Sequence, residues 1–412
     1  MWLRHTQTKR LYLMKVETFI VAILGKMLEI GKVQSKFIVH VVGLYMRLRG
    51  RYNFLNMGRY GLYGEQSYRL NFSKDFPFKA FNTTIIQNHC GSELSWIFDP
   101  SYISKSGKKT PGVGYFWSGC AKSMTWGLEL SSLAIADIEN HTAMHYHATQ
   151  TRAITGDETL RASYAKVIVE QAPDLLKISK NISLDAFFSK KPFTDSLCKA
   201  GFTMISRMQK NTYMRYQYQG VQKGGRGRKK EYGDKIDTKN ISTEHFNILK
   251  ADENEVVYEG IAHIRCLKRW CRVVIVQIIK HGKIHSALIY FATDKNMLGL
   301  KVLELYKMRF QIEFLYRDAK QFIGLEQCQS RQEEALDFHF NLSLTTLNIA
   351  KALHWLSLPM EDRKAFSMAD IKTQYINELI LDRIISIYGK DPKIEKNNPL
   401  ISKLYQLGKI AA

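Results

Sequence analysis

The chain has 412 residues, 45% of them hydrophobic and 24% charged, an ordinary globular composition with room for two to four domains. Lys and Arg outnumber Asp and Glu by 60 to 38, and a net charge of +22 calls for a polyanionic partner, either nucleic acid or an anionic membrane. The apolar runs near the start, "TFIVAILG" and "FIVHVVGLYM", fall far short of the ~20 residues that span a bilayer, and the six cysteines include no C-x-x-C pair.

No small-residue cleavage site of the secretory type follows the opening "MWLRHTQTKR". The sequence therefore reads as a soluble protein of a reducing compartment, with no membrane partner, and nucleic acid is the better candidate.

Residues 1–85 read as a helical, basic region for DNA binding. "LYMRLRGRYNFLNMGRYGLYGEQSYRLNF" interleaves Arg47, Arg49 and Arg51 with tyrosines and phenylalanines. Guanidinium groups grip phosphates, and aromatic rings supply stacking or packing surface. From about residue 88, "LSWIFDP", "GVGYFWSGCA" and "TWGLELSSLAIAD" predict strands. "ETLRASYAKVIVEQAPDLL" has helical periodicity, "NISLDAFF" predicts a strand, "KKPFTDSLCKAG" a short helix and "FTMISRMQKN" another strand. This order builds an α/β fold on a mixed sheet, with antiparallel neighbours first and helical crossovers later. The glycine-rich basic stretch "GVQKGGRGRKKEYGDK" predicts an exposed loop. "VVYEGIAHIRC", "WCRVVIVQIIK" and "KIHSALIYFATD" then predict strands, with "KHGK" as a hairpin turn, so residues 212–293 form a β-rich block. Helices are expected over about 296–325 and 330–357, followed by a helical, basic region at 358–412.

The stretch "YKMRFQIEFLYRDAK" spaces Tyr306, Arg309, Glu313 and Lys320 by three, four and seven. At about 100° per residue these four fall within one arc of about 60°. Such a stripe is also what a solvated helix face looks like. Asp99 and Asp185 add weight, because both end apolar strand-like runs, where an acid suits a sheet's rim better than its core. Two strand acids and one helix acid could hold a pair of hard divalent cations, which favour oxygen ligands. Two such ions ~3.5–4 Å apart serve phosphoryl transfer.

The Y-x2-R-x3-E-x6-K spacing at Tyr306, Arg309, Glu313 and Lys320 resembles the signature of bacterial insertion-sequence transposases of the DDE class, specifically the large "family four" cut-and-paste group. The segment from Asp99, "DPSYISKSGKKTPGVGYFWSGCA", is similar to the surroundings of that family's first catalytic Asp, and "LDAFFSKKPFTDSLCKAGFTMISRMQKN" to those of its second. The resemblance runs from about residue 45 to about 355. It implies a ribonuclease-H-like core with a mixed five-stranded sheet and flanking helices, formed by residues 86–211 and 294–357, with 212–293 as its β-rich insertion domain. It implies an Asp99, Asp185 and Glu313 triad holding two magnesium ions, or manganese in their place. Tyr306, Arg309 and Lys320 would contact phosphates, and Trp270 would stack on a flipped base. The implied activity is cleavage and strand transfer at the ends of an element, on double-stranded DNA carrying terminal inverted repeats and on target DNA. The implied assembly is a homodimer on DNA, and the implied location the bacterial cytoplasm, in association with the nucleoid. The runner-up is a catalytically degraded DNA-end-binding regulator, and a third reading is a metal-dependent nuclease that cuts without joining.

"SGKKT" fails as a nucleotide-binding loop, since position 102 is Tyr where a Gly is needed, so no nucleotide cofactor is expected; Lys108 and Lys109 remain candidates for the DNA backbone. "HTAMHYH", with His141, His145 and His147, is read as a surface cluster rather than a zinc site. Asp137 is read as structural.

Overall fold

The computed structural model describes residues 12–152, 159–222, 224, 227–395 and 398–409. Among the described residues, five helices come first: α1 (Tyr12–Leu24), α2 (Lys32–Arg47), α3 (Phe54–Tyr60), α4 (Glu65–Phe72) and α5 (Phe78–His89). The aromatic residues of this basic stretch go mostly inward. Tyr45, Tyr52, Phe54 and Tyr68 are buried, while Arg49 and Arg51 stay exposed. Arg47 is half-buried, and its Nε has no hydrogen-bond partner among the described residues.

Strands β1 (Leu94–Ser104), β2 (Gly114–Ser118), β3 (Ser123–Asp137) and β4 (Thr142–Gln150) follow. The long helical stretch expected next is divided at Pro173 into α6 (Leu160–Val169) and α7 (Ala172–Leu175). Proline cannot continue a helix but suits its first turn, where α7 carries it. Then come β5 (Asn181–Ser183), α8 (Lys191–Lys199) and β6 (Thr203–Met208). The β-rich block contains β7 (Met214–Gln217), β8 (Tyr232–Lys235), β9 (Phe246–Ala251), β10 (Glu255–Ile264), β11 (Arg269–Lys280) and β12 (Lys283–Ala292). The β11–β12 turn forms where expected. His281 and Gly282 there take positive φ angles of 53° and 70°, as a tight two-residue hairpin requires.

The twelve strands among the described residues hydrogen-bond into one sheet, in the order β2-β3-β1-β5-β6-β12-β11-β10-β7-β8, with β4 also on β3 and β9 on β10. β1, β3 and β4 are antiparallel neighbours, whereas β5 and β6 run parallel to β1. The mixed α/β architecture is thus as the sequence predicts, and compatible with a ribonuclease-H-like fold. "GVGYFWSGCA" forms a strand as expected, the short β2. One local expectation needs correction: the tail of the glycine-rich loop, expected as exposed coil, pairs as β8 with β7.

The larger correction concerns "HTAMHYHATQ". From Thr142 to Gln150 it is a largely buried strand holding His145 and His147, and only His141, in the turn before it, is exposed. His145 is fully buried between Ser132 Oγ at 3.2 Å and Asn341 Oδ1 at 3.2 Å. Burial pushes its pKa down to about 3, so the imidazole is neutral. His147 is held down to about 3 for the same reason.

The remaining helices are α9 (Gly299–Met308), α10 (Gln311–Phe322), α11 (Glu333–Lys351), α12 (Met368–Ile387), α13 (Pro392–Glu395) and α14 (Pro399–Tyr405). α11 is the buried axis of the fold. On one side its Phe338 meets Phe72 at 4.6 Å and its His339 bonds the Tyr45 hydroxyl at 2.8 Å. On the other, Asn341 and Asn348 face β4, seven residues and about two turns apart. Asn341 accepts from the Ala148 amide at 2.9 Å and donates to its carbonyl at 2.9 Å. Asn348 does the same for His145, at 2.8 and 2.7 Å. Two carboxamides thereby replace the missing neighbour of an edge strand. No helix among the described residues is long and apolar enough to cross a membrane.

Candidate active site

Asp99 lies on β1, opposite Ser132 of β3. On the other side of β1, Trp96 pairs with Ile182 and Ile97 with Ser183, in parallel. Extending that register by two residues brings Asp185 level with Asp99. Adjacent strands lie ~4.8 Å apart, and a shared register puts both side chains on one face. Asp185 stands just past β5, where the chain turns into the 3-10 turn Ala186–Phe188, and its carbonyl accepts from Ser206 Oγ at 3.1 Å.

The helix stripe is not one uninterrupted helix. At Arg309 and Phe310 the amides bond three residues back rather than four, which tightens the joint between α9 and α10. Both residues keep right-handed helical angles, so the stripe survives the joint. α10 is pinned across the sheet by two of its own side chains. The Tyr316 hydroxyl donates to the Asp99 carbonyl at 2.6 Å, and Lys320 Nζ to the Tyr102 carbonyl at 2.6 Å. Glu313, one turn before Tyr316, is therefore carried to the rim that holds Asp99.

These groups lie close enough to feel one another's charge. The Asp99 pKa is pushed up to about 7, first by burial and then by the negative charge of Glu313, Asp185 and Glu129, against the pull of the Arg309 guanidinium. Arg309 donates to Glu313 Oε1 at 3.1 Å, and its Nε is buried with no hydrogen-bond partner among the described residues. Tyr306 packs edge-on against Tyr290 at 4.9 Å, and burial raises its pKa. The donor set is all oxygen, suited to a hard divalent cation. Glu313 leans toward Arg309, and among the described residues no three His, Cys, Asp or Glu side chains stand in ligand geometry.

None of the other charged residues singled out in the sequence is among the charges that act on Asp99. The Trp270 indole stacks on Tyr232 at 5.7 Å and meets His263 edge-on at 5.2 Å. Lys108 and Lys109 are exposed. Arg51 lines a polar cleft of about 1120 Å³ with Arg69, Lys105 and Arg331. Asp137 is fully buried and accepts from the Gly91 amide at 2.9 Å and from the Asn140 amide at 3.1 Å, a structural role as expected.

Two residues at the rim escaped the sequence reading. Glu129 lies buried on β3, where the Tyr164 hydroxyl donates to it, and burial raises its pKa. A carboxylate inside the apolar run "TWGLELSSLAIAD" was the available signal. Tyr316 gave none, since a tyrosine in an amphipathic helix reads as core.

Asp99 thus lies on β1, Asp185 just past its parallel neighbour β5, and Glu313 on the helix bonded to β1. A family model described as "Transposase DDE domain" matches residues 139–349, just over half of the chain. The chain belongs to this transposase DDE domain family. The matched segment includes Asp185 and Glu313 and begins after Asp99. Comparison with curated proteins finds no match.

Proposed function

We propose that this transposase cuts and joins the ends of an insertion sequence at a site made of Asp99, Asp185 and Glu313, in a cut-and-paste cycle of the Y-R-E-K type. The observation that carries the reading is the β1–β5 register that brings Asp99 level with Asp185. Two divalent cations held by the three carboxylates, magnesium or manganese, would stabilise the attacking and leaving oxygens of in-line phosphoryl transfer.

The side chains have separable tasks. Asp99, on β1, and Asp185, just past β5, would present oxygen ligands. Glu313 completes the set from α10, released from its ion pair as Arg309 turns to a phosphate. Tyr306 and Lys320 hold the backbone of the cut end, and Trp270 stacks on a displaced base. Arg47, Arg49 and Arg51 of residues 1–85, with Lys108 and Lys109, track flanking phosphates, and residues 212–293 serve as an insertion domain. Two element ends call for a homodimer on DNA, in a nucleoid-associated protein. The Arg309–Glu313 ion pair also favours a second reading, a DNA-end-binding regulator whose acids no longer close around metal.

The test incubates the full chain with magnesium and linear DNA bearing the element's inverted repeats. Cutting with joining is expected, and Glu313→Ala should abolish cleavage while end binding persists. Cleavage by Glu313→Ala at the wild-type rate would sink the assignment. End binding without cutting by the wild type identifies the regulator, and cutting without joining a nuclease.

A further inference from the structure

The β2–β3 hairpin lies beyond the catalytic rim and has no part in the chemistry described above. Its strands pair Tyr115 with Trp126 and Trp117 with Met124. Directly paired residues, and residues two apart on a strand, share a face. These four side chains therefore stand together, while Phe116 turns inward and is buried. Tyr115 is 67% exposed, Trp117 58% and Met124 58%. Tyr115 and Trp126 meet edge-on at 5.3 Å, and Trp126 Nε1 donates to the Gly107 carbonyl at 3.1 Å. That last bond docks the loop carrying Lys108 and Lys109 beside the aromatic face. Lys122 sits in the hairpin turn at a positive φ of 50°.

Exposed aromatic rings grouped on one face mark a binding surface. Charge decides what binds there. From Asp99 to Glu129 the chain carries Lys105, Lys108, Lys109 and Lys122 and no acid between those two. A polyanion with flat apolar rings fits both properties. Every base has a π-face for Tyr or Trp, and lysines track the backbone. Duplex DNA keeps its bases stacked inside, so the fitting ligand is unpaired.

We propose that the outer face of the β2–β3 hairpin, built on Tyr115, Trp117 and Trp126 and flanked by Lys108, Lys109 and Lys122, is a stacking platform for unpaired DNA bases. The proposal rests on the reading of the chain as a DNA-strand transferase. β3 links the platform to the catalytic rim. Ser132 pairs with Asp99, and Trp126 lies six residues earlier on the same strand. Six residues of strand span roughly 20 Å, about the length of six stacked nucleotides. Their even spacing puts Trp126 on the same sheet face as Asp99. The platform receives the single strand that opens beside a cut.

The experiment measures binding of a fluorescein-labelled 12-mer of thymidine, a duplex of the element end, and vesicles of anionic phospholipid to the full chain. Proteins compared are the wild type, Tyr115→Ala/Trp117→Ala, and Lys108→Ala/Lys109→Ala. The aromatic variant should lose at least tenfold in single-strand affinity and less than twofold in duplex affinity. The lysine variant should weaken both, and wild-type tryptophan fluorescence should be quenched by the 12-mer. Unchanged single-strand affinity in the aromatic variant overturns the platform, as does an equal loss for both DNA forms. Wild-type binding to vesicles in place of the 12-mer also overturns it, in favour of a lipid surface. Duplex binding without single-strand binding by the wild type defeats the platform alone. A wild type that binds neither DNA form defeats the strand-transferase reading with it.

Discussion

Strand β4 and the rim at Asp99 both put polar side chains into one sheet, yet they solve opposite problems. On β4, His145 is neutral and bonded on both ring nitrogens, and two asparagines of α11 satisfy the strand's outer edge. At the rim, three acids gather around one guanidinium, and Asp99 is left with a carboxyl that resists ionising. Buried polar groups with complete partners hold a structure together. Buried charge without a counter-charge lowers stability, and a chain keeps it where chemistry needs it.

The largest effect on stability should come from β4. Asn341→Ala strips partners from the Ala148 amide and carbonyl in a dry interior, and unsatisfied buried groups cost ~1–3 kcal/mol each. Denaturant unfolding should show a loss of about 3 kcal/mol. A loss below about 0.5 kcal/mol would mean that water replaces the carboxamide, and the contrast with the rim would fail.

The rim should respond in the opposite direction. The Asp99 carboxyl rises from 3.8 unfolded to about 7 folded, so ionising it costs stability that is absent below about pH 4 and complete above pH 7. Asp99→Asn should raise the Tm by a few degrees at pH 8, with the gain fading toward pH 4. Adding magnesium should raise the wild-type Tm and leave this variant unmoved. His145 has the reverse linkage. Its pKa falls from 6.5 to about 3 on folding, so its contribution is complete above pH 6.5 and lost as the pH drops toward 3. His145→Gln should flatten the acid limb of a stability curve that Asp99→Asn leaves in place.

The smallest effect belongs to the exposed basic flank. Arg51→Ala should weaken duplex binding only a few-fold and reduce the slope of log affinity against log salt by about one. An unchanged slope would remove Arg51 from the DNA path.

The sequence showed the rim's parts better than the strand beside them. Asp99 and Asp185 were legible because an acid ending an apolar run is out of place in a core, and Glu313 because three- and four-residue spacing makes a helix face. β4 was not legible, because "HTAMHYH" offers histidines at i and i+4 as well as strand alternation. Only the α11 asparagines, some 200 positions away, decide between the two readings. The N-terminal aromatics were equally ambiguous. Stacking and packing call for the same rings, and burial of Tyr45, Tyr52 and Tyr68 resolves them as packing. The tightened joint at Arg309 had no sequence signal, since neither glycine nor proline marks it.

The β6–β12 ladder has a mechanical consequence. Ile205, Ser206, Arg207 and Met208 are paired residue for residue with Ala292 through Ile289, and β6 also borders β5, which leads to Asp185. Strands that share backbone bonds turn as a unit, so a push on β10 or β11 is transmitted as a lever to Asp185 without a hinge between. Load applied at Trp270 would reach the end of β5 beside Asp185 through strand pairing alone.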